Sequence, residues 1–404
     1  MISAFPCSIH PCRLVSLSGL PFLKVFTTFQ HLTFKNRKLV LRGFSNDSID
    51  LAISEKRLFL CDYSDLAPFC DGSLPGAASD KLLYTPTALF CVPKVPEGGN
   101  APPLPIAIIE GDVISYSNSD EDEWQVAKMK VQVADAYTHE TVHHFGRTHL
   151  LMEAFVCATH RTLDPYHPVM RLLAPHFEGT AFINSTSLTD LLDDGGTIDV
   201  LTAPPISDTR VFAVNAIRND FSFDQEMPDV SIPVRGVDSP ALFFPYRDDA
   251  MALWDAILEF VTGILSEHYQ SDADVRGDEG LRDWACEICW GERVPGFGEA
   301  TDGSIKSLQY LIRAVSFIIF TASVQHAAVN FPQVSMMQYA PAMPLSGRQA
   351  PLRAGSDITM EDMLPSVDDA ELQLYAAQML GVLRYTRLGQ YKKNLDFIWG
   401  AQWS

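Results

Sequence analysis

The stretch WQVAKMKVQVADAYTHETVHHFGRTHLLMEAFVCATHRT, Trp124–Thr162, decides the fold class, because a long helical pattern and five histidines coincide in it. Residues 121–163 contain no proline and a single interior glycine, Gly146, and their apolar side chains recur at helical spacing. This predicts one long helix or two nearly continuous ones, ended by Pro165 and Pro168. Two metal-site patterns overlap inside it. His139-Glu140-Thr141-Val142-His143 spells H-E-x-x-H, in which two histidines hold zinc and the glutamate acts as general base. His144 and His149 form a different pair, five residues apart.

The zinc reading needs a third ligand. Some twenty residues on, the chain reads THRTLDPYHP, without glutamate, and Glu153 and Glu178 fall at the wrong distances. The second reading needs a distorted helix, since residues i and i+5 point about 140° apart on a regular α-helix. A π-type widening brings them onto one face, and such widenings favour functional sites. Farther along, His326-Ala-Ala-Val-Asn330 offers an imidazole and an amide at i, i+4, on one side of a helix. Three imidazoles and a carboxamide oxygen suit iron or manganese better than a closed thiolate zinc site.

Outward from these segments the chain reads as mainly α. Helical patterns cover Asp248–Glu267, Glu279–Trp290, Ser304–Val329 and Asp368–Arg384, whereas Gly195–Pro240 reads as loop with short extended pieces. Arg57–Tyr63, Ala88–Val92 and Pro105–Ile109 read as strands separated by Pro- and Gly-rich turns. The expected architecture is a large helical domain over residues 51–404 with a small extended region in front.

Composition narrows the partners. A formal charge of −20 over 404 residues argues against a nucleic-acid backbone, while 47% hydrophobic content can build a large core around an apolar substrate. Residues 1–45 carry Arg13, Lys24, Lys35, Arg37, Lys38 and Arg42 without one acid, a pattern shared by organelle transit peptides and by mispredicted exons, so 1–50 stay unassigned. The most apolar run, Ala314–Val324, is too short to span a bilayer, which predicts no transmembrane helix and leaves peripheral membrane contact open. Eight irregularly spaced cysteines favour reduced thiols in the cytoplasm, and Cys286-Glu-Ile-Cys289 is a lone C-x-x-C.

Trp124–Asn184 resembles the central iron-binding segment of the lipoxygenase family, and TASVQHAAVNFPQ, Thr321–Gln333, resembles its second one. Weaker likeness runs over residues 58–344. The resemblance implies a non-haem iron held by His144, His149, His326 and, weakly, Asn330, with Glu140 and Gln333 as polar groups orienting the ligands. It places Leu191 against the reacting pentadiene carbon and Ser187 where the family usually has Ala or Gly. The implied reaction removes a hydrogen atom from a polyunsaturated fatty acid at an iron-hydroxide centre and adds O2 to give a hydroperoxide. Against the family pattern the chain reads as short at both ends. No β-sandwich lipid-binding domain precedes the helical part, and the terminal isoleucine that would give its carboxylate to iron has no match in YKKNLDFIWGAQWS. The alternative is therefore an inactive relative that binds lipid or a protein.

Overall fold

Strand alternation sets the front of the molecule. In the computed structural model, which describes residues 15–16, 47–70, 81–96, 98–300, 302–348 and 359–381, five antiparallel strands form a meander. They are β1 (Val15–Ser16), β2 (Leu58–Asp62), β3 (Thr87–Cys91), β4 (Leu104–Glu110) and β5 (Val113–Tyr116), in that order across the sheet. The three strands expected from sequence are β2, β3 and β4, with Phe59 opposite Phe90 and a register shift between Leu89 and Phe90. Period-two alternation divides their side chains. Phe59, Cys61, Phe90 and Ile108 pack with the long helix, and Leu58, Leu60, Leu89 and Ala107 pack with Ala52 on the other face. The transit-peptide reading falls almost wholly outside the described residues.

The long helix forms as one continuous run in three parts: α1 (Glu121–Thr138), a π-helical segment His139–Leu150, and α2 (Leu151–Thr162). Asp120 caps it, accepting from the Asp122 amide, and three acids fill the first turn where the helix dipole favours negative charge. Next come α3 (Pro168–Phe177), α4 (Thr180–Asp190), α5 (Ile206–Arg218), α6 (Pro228–Val234), α7 (Pro245–His268) and α8 (Glu279–Cys286). The sequence expectation of Gly195–Pro240 as mostly loop with short extended pieces is corrected here: Thr197–Leu201, α5 and α6 make it largely helical. Its helices are short and open on Pro205 or Pro228, residues that look like loop punctuation in the sequence although proline suits a first helical turn.

The apolar run spans α9 (Leu308–Phe320) and the π segment Thr321–Gln325 that follows it, and α10 (His326–Asn330) comes next. Ala314–Phe320 are buried, and Phe317 and Phe320 meet the fully buried Trp254 of α7 edge-on at 6.4 and 6.0 Å. The helical stretch Leu308–Met337, to which these three elements belong, has 30 residues and is, by length and composition, apolar enough to cross a membrane. The expectation of no such span rests on Ala314–Val324 alone, whereas the helix continues through Ala327, Ala328, Val329 and Met336. Its first part, Leu308–Phe320, packs against α7 in the described core.

Candidate metal centre

The widened helix does what the spacing requires. Hydrogen bonding from i to i+5 brings His144 and His149 onto one face, their rings edge to face with centroids 4.9 Å apart and their Nε2 atoms at 3.2 Å. The π segment Thr321–Gln325 ends where His326 begins, and that ring closes the group, its centroid 5.6 Å from His144 and 4.9 Å from His149. One ring nitrogen from each histidine falls within 4.8 Å of the other two. This is the group of metal-ligating side chains that the described residues bring together. Gly146 makes room for it: a β-carbon there would come within 3.1 Å of the Thr141 carbonyl and 3.6 Å of the Ala213 carbonyl on α5.

Hydrogen bonds decide which nitrogens face inward. Asn184 on α4 accepts from His149 Nδ1 at 2.8 Å, while its own Nδ2 donates to the His149 carbonyl and to Glu153 Oε2 at 3.2 and 2.8 Å. Glu140 Oε2 meets His144 Nδ1 at 3.2 Å, and Gln333 Nε2 donates to Glu140 Oε1. The Asn184 oxygen accepts, so His149 Nδ1 carries the proton and its Nε2 keeps a lone pair, while His144 Nδ1 lies 3.2 Å from both the Glu140 carboxyl and the Gln333 amide nitrogen. At 3.2 Å the Nε2 atoms of His144 and His149 are close enough to share a proton or to hold a cation between them. His326 Nε2 is buried and has no hydrogen-bond partner. The residues present therefore fit a metal ion.

Electrostatics agree. Burial holds His144 down to about 4; burial first, then His144, holds His149 down to about 3. His326 is likewise held well below its ordinary value by burial and by the two neighbouring imidazoles. All three imidazoles are neutral at pH 7. Burial raises the Glu140 carboxyl, opposed by His139, His149 and the Gln333 bond. A cation on the adjacent rings would favour its ionised form.

The other sequence-derived positions sort clearly. His139 Nε2 donates to the Val329 carbonyl at 2.8 Å, and neither it nor His143 joins the group, so H-E-x-x-H does not assemble as a site among the described residues. Asn330 is buried one turn beyond His326, on the same side of the helix by its i+4 spacing. Ser187 and Leu191 are half-buried. With Asn184 they fall at i, i+3 and i+7, the face of α4 that holds His149. Sequence reasoning missed Asn184 and Glu153 as functional. Glu153 stands four residues after His149, a spacing that could have flagged it.

Comparison with known proteins leads to the same place. The family model for Lipoxygenase matches residues 30–386. The linoleate 9/13-lipoxygenase of Pseudomonas aeruginosa is 39% identical over 371 residues, which are 87% of this chain and 52% of that protein. The hydroperoxide isomerase ALOXE3 of Mus musculus is 34% identical over 89% of this chain and 50% of its own length. The anaerobic crystal structure of a delta413-417:GS LOX in complex with arachidonate superimposes with a TM-score of 0.82 at 26% identity, covering 96% of this chain and 59% of that one. The chain thus spans about half the length of the relatives it matches.

Proposed function

The chain belongs to the lipoxygenase family, and from that premise we propose that His144, His149 and His326 hold one non-haem iron ion at which a polyunsaturated fatty acid is dioxygenated to a hydroperoxide. The observation that carries the reading is the cluster of three ring nitrogens, with the Nε2 atoms of His144 and His149 at 3.2 Å beside the unpartnered His326 Nε2. Bound there, iron would supply one-electron redox chemistry toward a doubly allylic C–H and O2. Imidazoles alone also suit other first-row metals, so iron rather than manganese rests on the family. The residues' part is positional. Asn184, with Glu140 and Gln333, fixes two imidazoles in the ligating tautomer, and Asn330 would offer a further neutral oxygen. Ser187 and Leu191 would line the path of the acyl chain, where an apolar wall excludes water from a radical intermediate.

The relatives include an isomerase as well as a dioxygenase, so the reaction itself has to be assayed. Oxygen uptake with linoleate or arachidonate by the iron-loaded chain is the test. Uptake with formation of a conjugated hydroperoxide supports the reading. Iron bound without uptake would favour the inactive relative, which the intact set of three histidines does not.

A further inference from the structure

The C-x-x-C pair lies outside the metal site and on an unusual stretch of helix. Cys286 ends α8 and is exposed; Cys289 is half-buried within the π segment Glu287–Gly291. On a helix, residues i and i+3 have Cα atoms about 5 Å apart, inside the range a disulfide spans. Cys289 lines a cleft of about 740 Å³ with Asp224, Trp290, Arg293 and Phe297. Its side chain is seated on Gly303 (φ +76), where a β-carbon would come within 2.6 Å of its sulfur. The segment is stapled to α2 by Arg161, whose Nη1 lies 2.7 Å from both Glu287 and Glu292. The backbone is thus held, with the Cys286 thiol exposed and the Cys289 thiol packed on Gly303.

We propose that Cys286 and Cys289 form a hydroperoxide-sensitive dithiol, Cys286 reacting first and Cys289 resolving. The Cys286 thiolate attacks the terminal oxygen of an organic hydroperoxide, the O–O bond breaks, and the alcohol leaves with a proton, giving a sulfenic acid on Cys286. Cys289 then attacks that sulfur and expels water. Two thiols and ROOH become one disulfide, ROH and H2O, with two electrons passing from the sulfurs to the O–O bond. Burial, then Cys286 and Asp302, push the Cys289 thiol up, which slows the second step and lengthens the life of the sulfenic acid. Reaching Cys286 takes Cys289 off its seat on Gly303, beside the exposed Trp290. The oxidant is of the class the proposed reaction would form, but the test supplies it from outside, so its result stands whether or not this chain makes hydroperoxide.

The full chain is treated with linoleic acid hydroperoxide, digested and mapped by mass. The expected result is a peptide spanning Cys286 and Cys289 lighter by two hydrogens and restored by dithiothreitol. It should form at least ~10-fold faster than oxidation of the buried Cys61 and Cys91, because accessible thiols react first. Cys289→Ser should accumulate a dione-trappable sulfenic acid on Cys286, and Cys286→Ser should leave Cys289 reduced. Unaltered thiols in the wild-type chain, oxidation spread evenly over all cysteines, or oxidation of Cys289 in Cys286→Ser at the wild-type rate would each overturn the proposal.

Discussion

Asn184 determines which nitrogen of His149 is available, because its oxygen takes the Nδ1 proton while its amide group is anchored on Glu153. Asn184→Ala should weaken metal binding by about 10- to 100-fold, the usual cost of losing a group that orients a ligand. Equilibrium titration with Fe(II) under nitrogen would measure it, and unchanged affinity would remove Asn184 from the account. His144→Ala or His326→Ala should abolish binding, and His139→Ala, whose ring serves the Val329 carbonyl, should leave most of it. The proton has a calculable direction too. His144 and His149 drop from an ordinary 6.5 to about 4 and about 3 in the fold, so between these values the unfolded chain binds more protons than the native one. In the metal-free protein this contribution is intact above about 6.5 and is lost as pH falls through that window toward 4 and 3. Thermal melts of metal-free chain at stepped pH should fall steadily from pH 6.5 to 4; a flat profile would contradict the burial of these rings. At this scale the histidines are legible because imidazoles recur every five residues in an apolar run. Asn184 is not, since nothing local distinguishes it from a surface asparagine and its partner is distant in sequence.

At the level of elements, the π segments are the working parts. His139–Leu150 brings His144 and His149 from opposed directions onto one face, and Thr321–Gln325 delivers His326 to the same point. Gly146 is the residue on which the first depends, with space for no β-carbon without a shift of a few tenths of an ångström against the Thr141 carbonyl. Gly146→Ala should cost about 1–3 kcal/mol, as overpacking does, and weaken metal binding as the ring spacing changes. Urea unfolding together with an iron titration would check both, and a fully stable variant with normal affinity would show that the wide turn does not rely on this glycine. The long helix is readable because residues 121–163 lack proline and keep one periodicity. Residues 195–240 are hard to read for the opposite reason. Their helices, Ile206–Arg218 the longest, are short, open on prolines and owe their form to packing against the π segment and α7 more than to a local pattern.

Across the whole molecule, one aromatic core holds the two ligand-bearing helices at a fixed distance. Trp254 packs on Phe317 and Phe320 of the helix that leads to His326, and Trp284 donates to Thr159 on the helix that extends beyond His149. Trp254→Ala should destabilise by about 3–5 kcal/mol, the range for emptying a large buried aromatic site. A loss under about 1 kcal/mol in chemical denaturation would mean that α7 does not brace the centre. Composition supplies the size of this core but not its wiring, which depends on pairs such as Thr159 and Trp284 separated by 125 residues. The central claim, that three neutral imidazoles on two widened helices make a metal site, is tested most directly by elemental analysis of the purified chain. Near one iron per chain is expected, retained in His139→Ala and absent from His326→Ala. No bound transition metal in the wild-type chain, or a zinc ion lost with His139 and His143 but kept without His149, would contradict it.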